Sequence, residues 1–337
     1  MNEPEIKILE LLQARDFPDC TSVKQFKGGA NNRVFRAESP GEPLLVKEYF
    51  SHPSDKRDRF ATERAFYDVT SEISGASIPR DLAWYPDTNT AVFEFIEGQR
   101  PDRVTPQILQ KALAFFNDIN SVRFGESARE LPTASEACFS VEEHLRRIEH
   151  RVDRLSGLQE NDDLSRQAAV FVETEIIPVW MKISGGIRSA FSLQQISAEL
   201  GAAERCISPS DFGFHNSLLR TDGSIKFLDF EYAGWDDPAK MVCDFFCQPA
   251  VPVPEGGLDD FLVAMETGNS WPGLRLRVQA LRPAYGLKWC CIMLNDFLPS
   301  DNSRRIFSGL TGDGVNRKYH QLQKAQALLT RIKKKFN

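Results

Sequence analysis

The pattern of apolar residues changes near Gly98, and this change constrains the fold more than any other feature of the sequence. Before Gly98, short runs rich in β-branched and aromatic residues alternate with turn sequences such as GGANN and SPGEP. One helical stretch, residues 55–73, interrupts these runs. After Gly98, helical periodicity dominates, except for a group of strand-like runs at 204–231 that includes a hairpin turn at 221–224. The pattern predicts an α+β, bilobal fold. A small antiparallel sheet with one helix forms the N-terminal lobe, residues 1–97, and a larger helical lobe, residues 98–337, contains the hairpin.

Length and charge agree with this division and exclude several classes of protein. A chain of 337 residues is long enough for two lobes, and 42% hydrophobic with 26% charged residues is an ordinary globular composition. The net charge of -6 argues against nucleic acid as the main partner. No apolar run reaches the length of a membrane span, and the N-terminus lacks a signal-peptide pattern. We therefore expect a cytoplasmic protein that does not associate with membranes, with seven reduced cysteines.

The first sequence that suggests chemistry is KGGANNRVFRA, residues 27–37, which lies between two predicted strands. Gly28 and Gly29 would let the backbone approach a ligand closely, and exposed amides there could meet phosphate oxygens. The sequence lacks the GxxxxGK[ST] pattern of a P-loop. An ordinary hairpin turn would explain the same residues.

Lys47 and Glu63 form the second candidate pair. Lys47 lies in the apolar strand LLVKEYF, where a buried ammonium is costly unless it is paired. Glu63 lies on the same face of the predicted helix as Phe60 and Tyr67, so its carboxylate could hold Lys47. Such a lysine could bind the α- and β-phosphates of a nucleotide. A solvent-facing lysine on an edge strand and an exposed helix glutamate remain the simpler alternatives.

Asp211 and Asn216 are separated by the D-x-x-x-x-N spacing that kinases use. In that arrangement the aspartate accepts the proton of an attacking hydroxyl and the asparagine reaches a metal. Asp229 ends the apolar strand IKFL, where an acidic group is costly to bury unless it meets a cation. A magnesium ion that bridges the β- and γ-phosphates would be such a cation. Taken singly, a polar loop and a strand-end cap explain these residues as well. Their order after Lys47 and Glu63 favours a phosphotransferase, with Asp211 catalytic and Asn216 and Asp229 binding the metal.

The chain resembles the aminoglycoside phosphotransferase and choline kinase-like enzymes, which share a protein-kinase-like fold. The resemblance spans about residues 20–300 and depends on GGANNRVFRA, LLVKEY with TERAFY, VFEFIEG, and SDFGFHN with LDFEYAGWDDPAK. It implies that Gly28, Gly29 and Asn32 belong to a nucleotide loop. It further implies that the hinge residues Glu94, Phe95 and Ile96 lie against the adenine base. The expected reaction transfers the γ-phosphoryl group of ATP, with Mg2+, to a hydroxyl of a small molecule such as an aminoglycoside, amino alcohol or sugar. GTP is an alternative donor.

One departure from the family pattern precedes Asp211. The family usually has His-Gly there, whereas this chain has Pro209 and Ser210, so the geometry of this loop is where we expect a difference. The departure also favours the alternative of a pseudokinase-like module that binds nucleotide without transfer. The intact charged and polar positions favour the enzyme.

The acceptor is less constrained by the sequence. Glu231, Asp236 and Asp237 could form an acidic site for a cationic acceptor, or they could cap the helix that begins at Pro238. Three tryptophans, Trp235, Trp271 and Trp289, could line a pocket for a quaternary amine or pack in the core.

Overall fold

In a computed structural model, the residues described are 1–26, 31–53, 55, 57–75, 77–268, 271–298, 307 and 314–336. Gly28 and Gly29 lie outside these residues. For the two predicted parts we use the terms N-lobe, residues 1–97, and C-lobe, residues 98–337, a division that remains a proposal.

The N-lobe is built on a five-stranded antiparallel sheet. Its strands have the spatial order β1-β2-β3-β5-β4. The bounds are β1 Ser22–Gln25, β2 Arg33–Glu38, β3 Leu44–Glu48, β4 Asp81–Tyr85 and β5 Thr90–Glu94. Helix α1, Glu3–Gln13, packs against the sheet, and α2, Arg59–Ser74, follows β3. The β-branched and aromatic runs predicted four of these strands. The sequence analysis missed β4, because DLAWY is short and has no regular alternation.

The C-lobe is mainly helical, as the periodicity predicted. Its helices are α3 Pro106–Ser121, α4 Val141–Leu155, α5 Asp163–Phe171, α6 Ile177–Ala190, α7 Leu193–Ser197, α8 Pro238–Cys247, α9 Leu258–Gly268, α10 Leu274–Leu294 and α11 Gly314–Phe336. A π-helical turn, Val172–Ile176, joins α5 to α6, which the sequence had suggested as one helix. Within the described residues, no helix combines the length and the apolar character needed to cross a membrane.

Two small antiparallel sheets lie inside the C-lobe. Strands β7, Ser217–Leu219, and β8, Ile225–Phe227, form the predicted hairpin, and β6, Cys206–Ser208, pairs with β9, Gly234–Asp236. Phe227 points into the C-lobe core, where its ring stacks on Phe115 at 4.7 Å between centroids. The loop that contains Asp211 and Asn216 therefore lies between β6 and β7, and the segment that contains Asp229 lies between β8 and β9. The architecture confirms the predicted α+β arrangement.

Candidate active site between the lobes

Lys47 and Glu63 meet as predicted. Strand β3 carries Lys47 and the second turn of α2 carries Glu63, and the lysine Nζ lies 2.6 Å from Glu63 Oε2. Both side chains are buried. The same carboxylate accepts a hydrogen bond from the Tyr49 hydroxyl at 2.7 Å and, through Oε1, from the backbone N–H of Phe230 at 3.0 Å. The simpler alternatives, a solvent-facing lysine and an exposed helix glutamate, are therefore wrong for Lys47 and Glu63.

Asp229 joins this pair from the C-lobe. Its Oδ1 lies 2.5 Å from Lys47 Nζ, although the two residues are 182 positions apart. Its side chain is 42% exposed, so a ligand in the cleft could still reach it. The backbone φ of +70° is uncommon for a residue with a side chain, and such conformations cluster at functional sites.

Glu231 is the residue whose position the sequence analysis missed. It lies in the cleft, almost fully buried, with Oε2 3.8 Å from Lys47 Nζ and Oε1 3.6 Å from Arg59 Nε. The side-chain amides of Asn31 and Asn32 both donate to it, which ties the end of the nucleotide loop to the Asp229 segment. No local sequence signal marks these contacts, because they join residues about 200 positions apart.

The electrostatics of this cluster leave a surplus of negative charge. Burial alone would lower the pKa of Lys47, but the carboxylates of Asp229, Glu63 and Glu231 raise it above its ordinary value. Burial and repulsion from Asp229 raise the pKa of Glu231. A cation next to Asp229 would relieve that repulsion.

Asp211 and Asn216 lie together in the loop between β6 and β7. The Asn216 side-chain amide donates to the backbone oxygen of Asp211 at 3.1 Å and to its Oδ2 at 3.3 Å. His215 Nε2 lies 3.2 Å from the other carboxylate oxygen, Oδ1. Burial opposes ionisation of Asp211, yet the hydrogen bond and charge of His215 lower the pKa of the carboxyl, as does the charge of Lys288. With 39% of its side chain exposed, the Asp211 carboxylate can be reached from solvent.

One backbone hydrogen bond connects this loop to the segment that contains Asp229. The N–H of Leu228 donates to the backbone oxygen of Asn216 at 2.9 Å, which places Asn216 beside the residues that lead from β8 to Asp229. The residues predicted to act together are thus linked from Asp211 through Asn216 and Asp229 to Lys47.

Ser210 occupies the position where the resembling family has glycine, and it keeps a conformation that glycine adopts easily. Its φ is +66°, and the N–H of Asp211 donates to the carbonyl of Pro209 at 2.9 Å across it. Such a three-residue turn with positive φ is rare and strained. The Ser208 hydroxyl accepts from the Ser210 N–H at 3.0 Å, and the Ser210 hydroxyl donates to the Ser135 carbonyl at 3.3 Å. These two hydrogen bonds stabilise the strained turn, whose geometry the sequence analysis had left open.

The hinge sequence continues from β5. The Glu94 carboxylate accepts from Arg80 and Lys226, so its side chain serves contacts inside the protein. Phe95 and Ile96 follow the strand and are partly exposed. The Phe95 ring stacks on Phe26 at 6.1 Å, and the Arg36 guanidinium lies over it at 4.6 Å.

The carboxylates considered for a cationic acceptor are engaged elsewhere. Asp236 is completely buried and pairs with Lys240 at 2.8 Å. Asp237 is the N-cap of α8, accepting from the Ala239 N–H at 2.7 Å, and it also contacts His144 and Arg277. The capping alternative is therefore the correct one for Asp237, and an acidic acceptor site at Asp236 and Asp237 is not supported.

The tryptophans likewise serve the protein itself. Trp235 donates to the Ala128 carbonyl at 3.0 Å, and Trp271 is buried against Phe116. The Lys288 ammonium lies 5.3 Å from the centre of the Trp289 ring, so a cation of the protein already occupies that face.

The comparisons with known proteins agree with this geometry. Residues 22–276 match the model of the phosphotransferase enzyme family. No curated protein matches the chain. Because the family match covers more than half of the chain, the protein belongs to this family, and the prediction of a small-molecule kinase is confirmed at that level.

Solved structures confirm the protein-kinase-like fold. A spectinomycin phosphotransferase in complex with ADP and spectinomycin is 12% identical, with a TM-score of 0.58, covering 95% of this chain and 98% of the other. An ethanolamine kinase from Plasmodium vivax is 12% identical, with a TM-score of 0.59 and coverage of 98% and 91%. An amicoumacin kinase in complex with AMP-PNP, Ca2+ and Ami is 12% identical, with a TM-score of 0.56 and coverage of 98% and 94%.

Proposed function

We propose that the protein transfers the γ-phosphoryl group of ATP, with Mg2+, to a hydroxyl of a small molecule. The observation that carries this proposal is the contact of Lys47 with both Glu63 and Asp229, next to the loop that holds Asp211 and Asn216. Phosphoryl transfer needs mainly positioning and charge neutralisation, which these groups can provide. The nucleotide complexes of the spectinomycin and amicoumacin kinases support a nucleotide donor.

In this proposal each predicted residue has one role. Lys47, held by Glu63, orients the triphosphate. The N–H groups at Gly28 and Gly29 and the Asn32 side chain would shape the nucleotide loop. The hinge segment at Glu94, Phe95 and Ile96 would lie against the adenine base of the nucleotide.

Asp211 orients the acceptor hydroxyl and takes its proton. Its lowered pKa keeps it ionised near neutral pH, which suits a group that must accept a hydrogen bond from the hydroxyl before transfer. Its partly exposed side chain leaves room for that contact.

The donor set fits a magnesium ion. Within the described residues, no group of three or more His, Cys, Asp or Glu side chains could hold a metal. Magnesium in nucleotide sites often uses only one or two carboxylates together with phosphate oxygens, so Asp229 and the side-chain oxygen of Asn216 are sufficient. The excess of negative charge around Lys47 is the physical reason why a cation would bind there. When bound, magnesium would neutralise phosphate charge.

The decisive test is ADP release measured with ATP and Mg2+, with and without a panel of amino alcohols, sugars and aminoglycosides. We expect one acceptor class to stimulate release and EDTA to abolish it, and a parallel assay with GTP would settle the donor. Asp211→Asn is the control. Tight nucleotide binding with no acceptor-stimulated release above that control would instead favour a binding module.

A further inference from the structure

Strand β8 faces both lobes with alternating side chains. Ile225 and Phe227 are buried in the C-lobe core. Lys226, between them, must point to the opposite face, because successive residues of a strand alternate. Lys226 is nevertheless 7% exposed, so a charged side chain is buried in a strand that is otherwise apolar.

The ammonium of Lys226 is coordinated by the N-lobe. Its Nζ donates to the carbonyl oxygens of Gly75 at 3.0 Å and Ile78 at 2.7 Å, and it lies 3.3 Å from Glu94 Oε1. Gly75 ends α2, Ile78 precedes β4 and Glu94 ends β5. A lysine has three donors, so these three acceptors satisfy it completely.

Backbone hydrogen bonds attach the hairpin at the same place. The Phe227 N–H donates to the Ser77 carbonyl at 2.7 Å, between the two carbonyls that hold Lys226. Gln99 and Leu219 exchange two backbone hydrogen bonds at 3.0 and 2.8 Å, which fastens β7 to the segment after the hinge. The hairpin is thus bound to the N-lobe as well as to the C-lobe core.

The position of the hairpin bears directly on the site. Asn216 immediately precedes β7, and Asp229 comes two residues after β8. Helix α2, whose C-terminal end is held by Lys226, carries Glu63 in its second turn, and Glu63 binds both Lys47 and the Phe230 N–H. Two contacts therefore join α2 to the hairpin and the residues after it, one at Glu63 and one at Lys226.

We infer that Lys226 is a positioning residue for phosphoryl transfer. Its contacts with the end of α2, which we call the clasp, hold the metal-binding hairpin in place. They thereby keep Asp229 and Asn216 correctly placed relative to Lys47. A buried ammonium is costly to maintain, and removing it would leave the acceptors around it without their donor. Loss of Lys226 is therefore expected to weaken the attachment of the hairpin to α2, and the activity assay decides whether this also affects turnover. The catalytic consequence rests on the proposed function, whereas the clasp itself does not.

The test compares K226M with K226R and R80Q. Methionine keeps the length of the side chain and removes its charge, whereas arginine keeps donors for the carbonyls. R80Q removes the other cation that contacts Glu94, from an exposed position, so it controls for a change in the surroundings of that carboxylate.

Hydrogen exchange measured by mass spectrometry reports on the clasp without any need for turnover. For K226M we expect exchange in residues 75–78 and 217–227 to rise by about tenfold, because opening of this contact costs less free energy. R80Q should exchange like the wild type. Unchanged exchange in K226M would overturn the clasp.

ADP release without an added acceptor, measured across ATP concentrations, tests the catalytic consequence. We expect kcat of K226M to fall by about tenfold or more, the KM for ATP to change by less than about threefold, and K226R to recover most of kcat. A variant that loses only thermal stability, with wild-type kcat at low temperature, would refute the positioning role. Absence of ADP release from the wild type under every condition would count against the proposed function instead, and the exchange experiment would still decide on the clasp.

Discussion

The protein contains two clusters of buried charge, and they differ in charge balance and in exposure. The first, the cleft cluster, joins the lobes through Lys47, Arg59, Glu63, Asp229 and Glu231. The second, the C-lobe cluster, consists of Asp236, Lys240, Asp244 and Lys288. Both contain ion pairs that would be expensive to leave unpaired.

The difference supports the proposal that the cleft cluster binds a ligand. In the C-lobe cluster two lysines face two carboxylates, and every side chain is less than a tenth exposed. In the cleft cluster three carboxylates surround Lys47, and one of them, Asp229, is 42% exposed. A balanced and sealed cluster needs no further partner. A surplus of negative charge that water can reach is suited to a cation and a phosphate. Asp244 belongs to the sealed cluster, because its carboxylate contacts both Lys240 and Lys288.

The largest expected effect tests the exposed acid beside the cleft cluster. Asp211→Asn should reduce phosphoryl transfer by about 10²–10⁴-fold, because the acceptor hydroxyl loses its base, while nucleotide affinity stays within a few-fold. Isothermal titration with AMP-PNP and an ADP-release assay measure the two quantities. Asp222→Asn, in the exposed hairpin turn, is the matched control. Near-wild-type turnover of the Asp211 variant would remove Asp211 from the catalytic role.

A lysine-to-methionine pair tests the contrast between the clusters directly. K240M should destabilise the protein by about 3–5 kcal/mol, because Asp236 loses its buried cation, with turnover of the folded protein changed by less than about threefold. K47M should lower turnover far more and stability less. Asp229 can reach water, Glu63 keeps its hydrogen bonds from Tyr49 and the Phe230 N–H, and Glu231 keeps Arg59. Denaturant unfolding and ADP release, measured on both variants, give the comparison. If K240M and K47M lost the same amount of stability and the same amount of activity, the proposed difference between a structural cluster and a ligand-binding cluster would be wrong.

The pH dependence of stability tests a half-exposed pair at the edge of the C-lobe cluster. Although burial favours its neutral form, the charges of Arg151 and Lys288 lower the pKa of Glu136 to about 2. The folded protein therefore keeps this carboxylate ionised below the pH at which the unfolded chain protonates it. The resulting stabilisation is complete above about pH 5 and is lost as the pH falls toward 2. With 37% of the side chain exposed, we expect about 1 kcal/mol.

The measurement for Glu136 is the free energy of unfolding of the wild type and E136Q at pH 7 and pH 3. E136Q should be less stable than the wild type at pH 7, and the difference should shrink at pH 3. A difference that is independent of pH would contradict an ionised, paired Glu136.

The smallest expected effect concerns the strained turn before Asp211. Ser210→Gly should raise the free energy of unfolding by about 0.5 kcal/mol, because relief of the left-handed strain slightly exceeds the added entropy of the unfolded chain and the lost hydroxyl contact. Thermal unfolding measures the change, and Ser224→Gly in the exposed turn is a control without positive φ. Destabilisation by more than about 1 kcal/mol would show that the Ser210 hydroxyl matters more than its backbone.

Much of the fold follows from local patterns. The helices α3, α4 and α11 lie in the region after Gly98 where helical periodicity was expected, because an amphipathic 3.6-residue period extends over several turns of each. The hairpin β7–β8 was predicted from its Asp-Gly turn. Strand β9 has only three residues, GWD, and forms because its backbone pairs with β6, about 28 positions earlier, so no local pattern marks it.

The candidate site divides in the same way. The sequence by itself singled out Lys47, Glu63, Asp211, Asn216 and Asp229 as candidates for the chemistry, because each is a costly or motif-spaced residue within its own short segment. Only the tertiary structure decided what Glu231 and Lys226 contact, since their partners lie far away along the chain. It also decided that Asp236 and Asp237 are structural. A carboxylate looks the same in a sequence whether a ligand or a lysine neutralises it, and only the packed chain shows which of the two is already there.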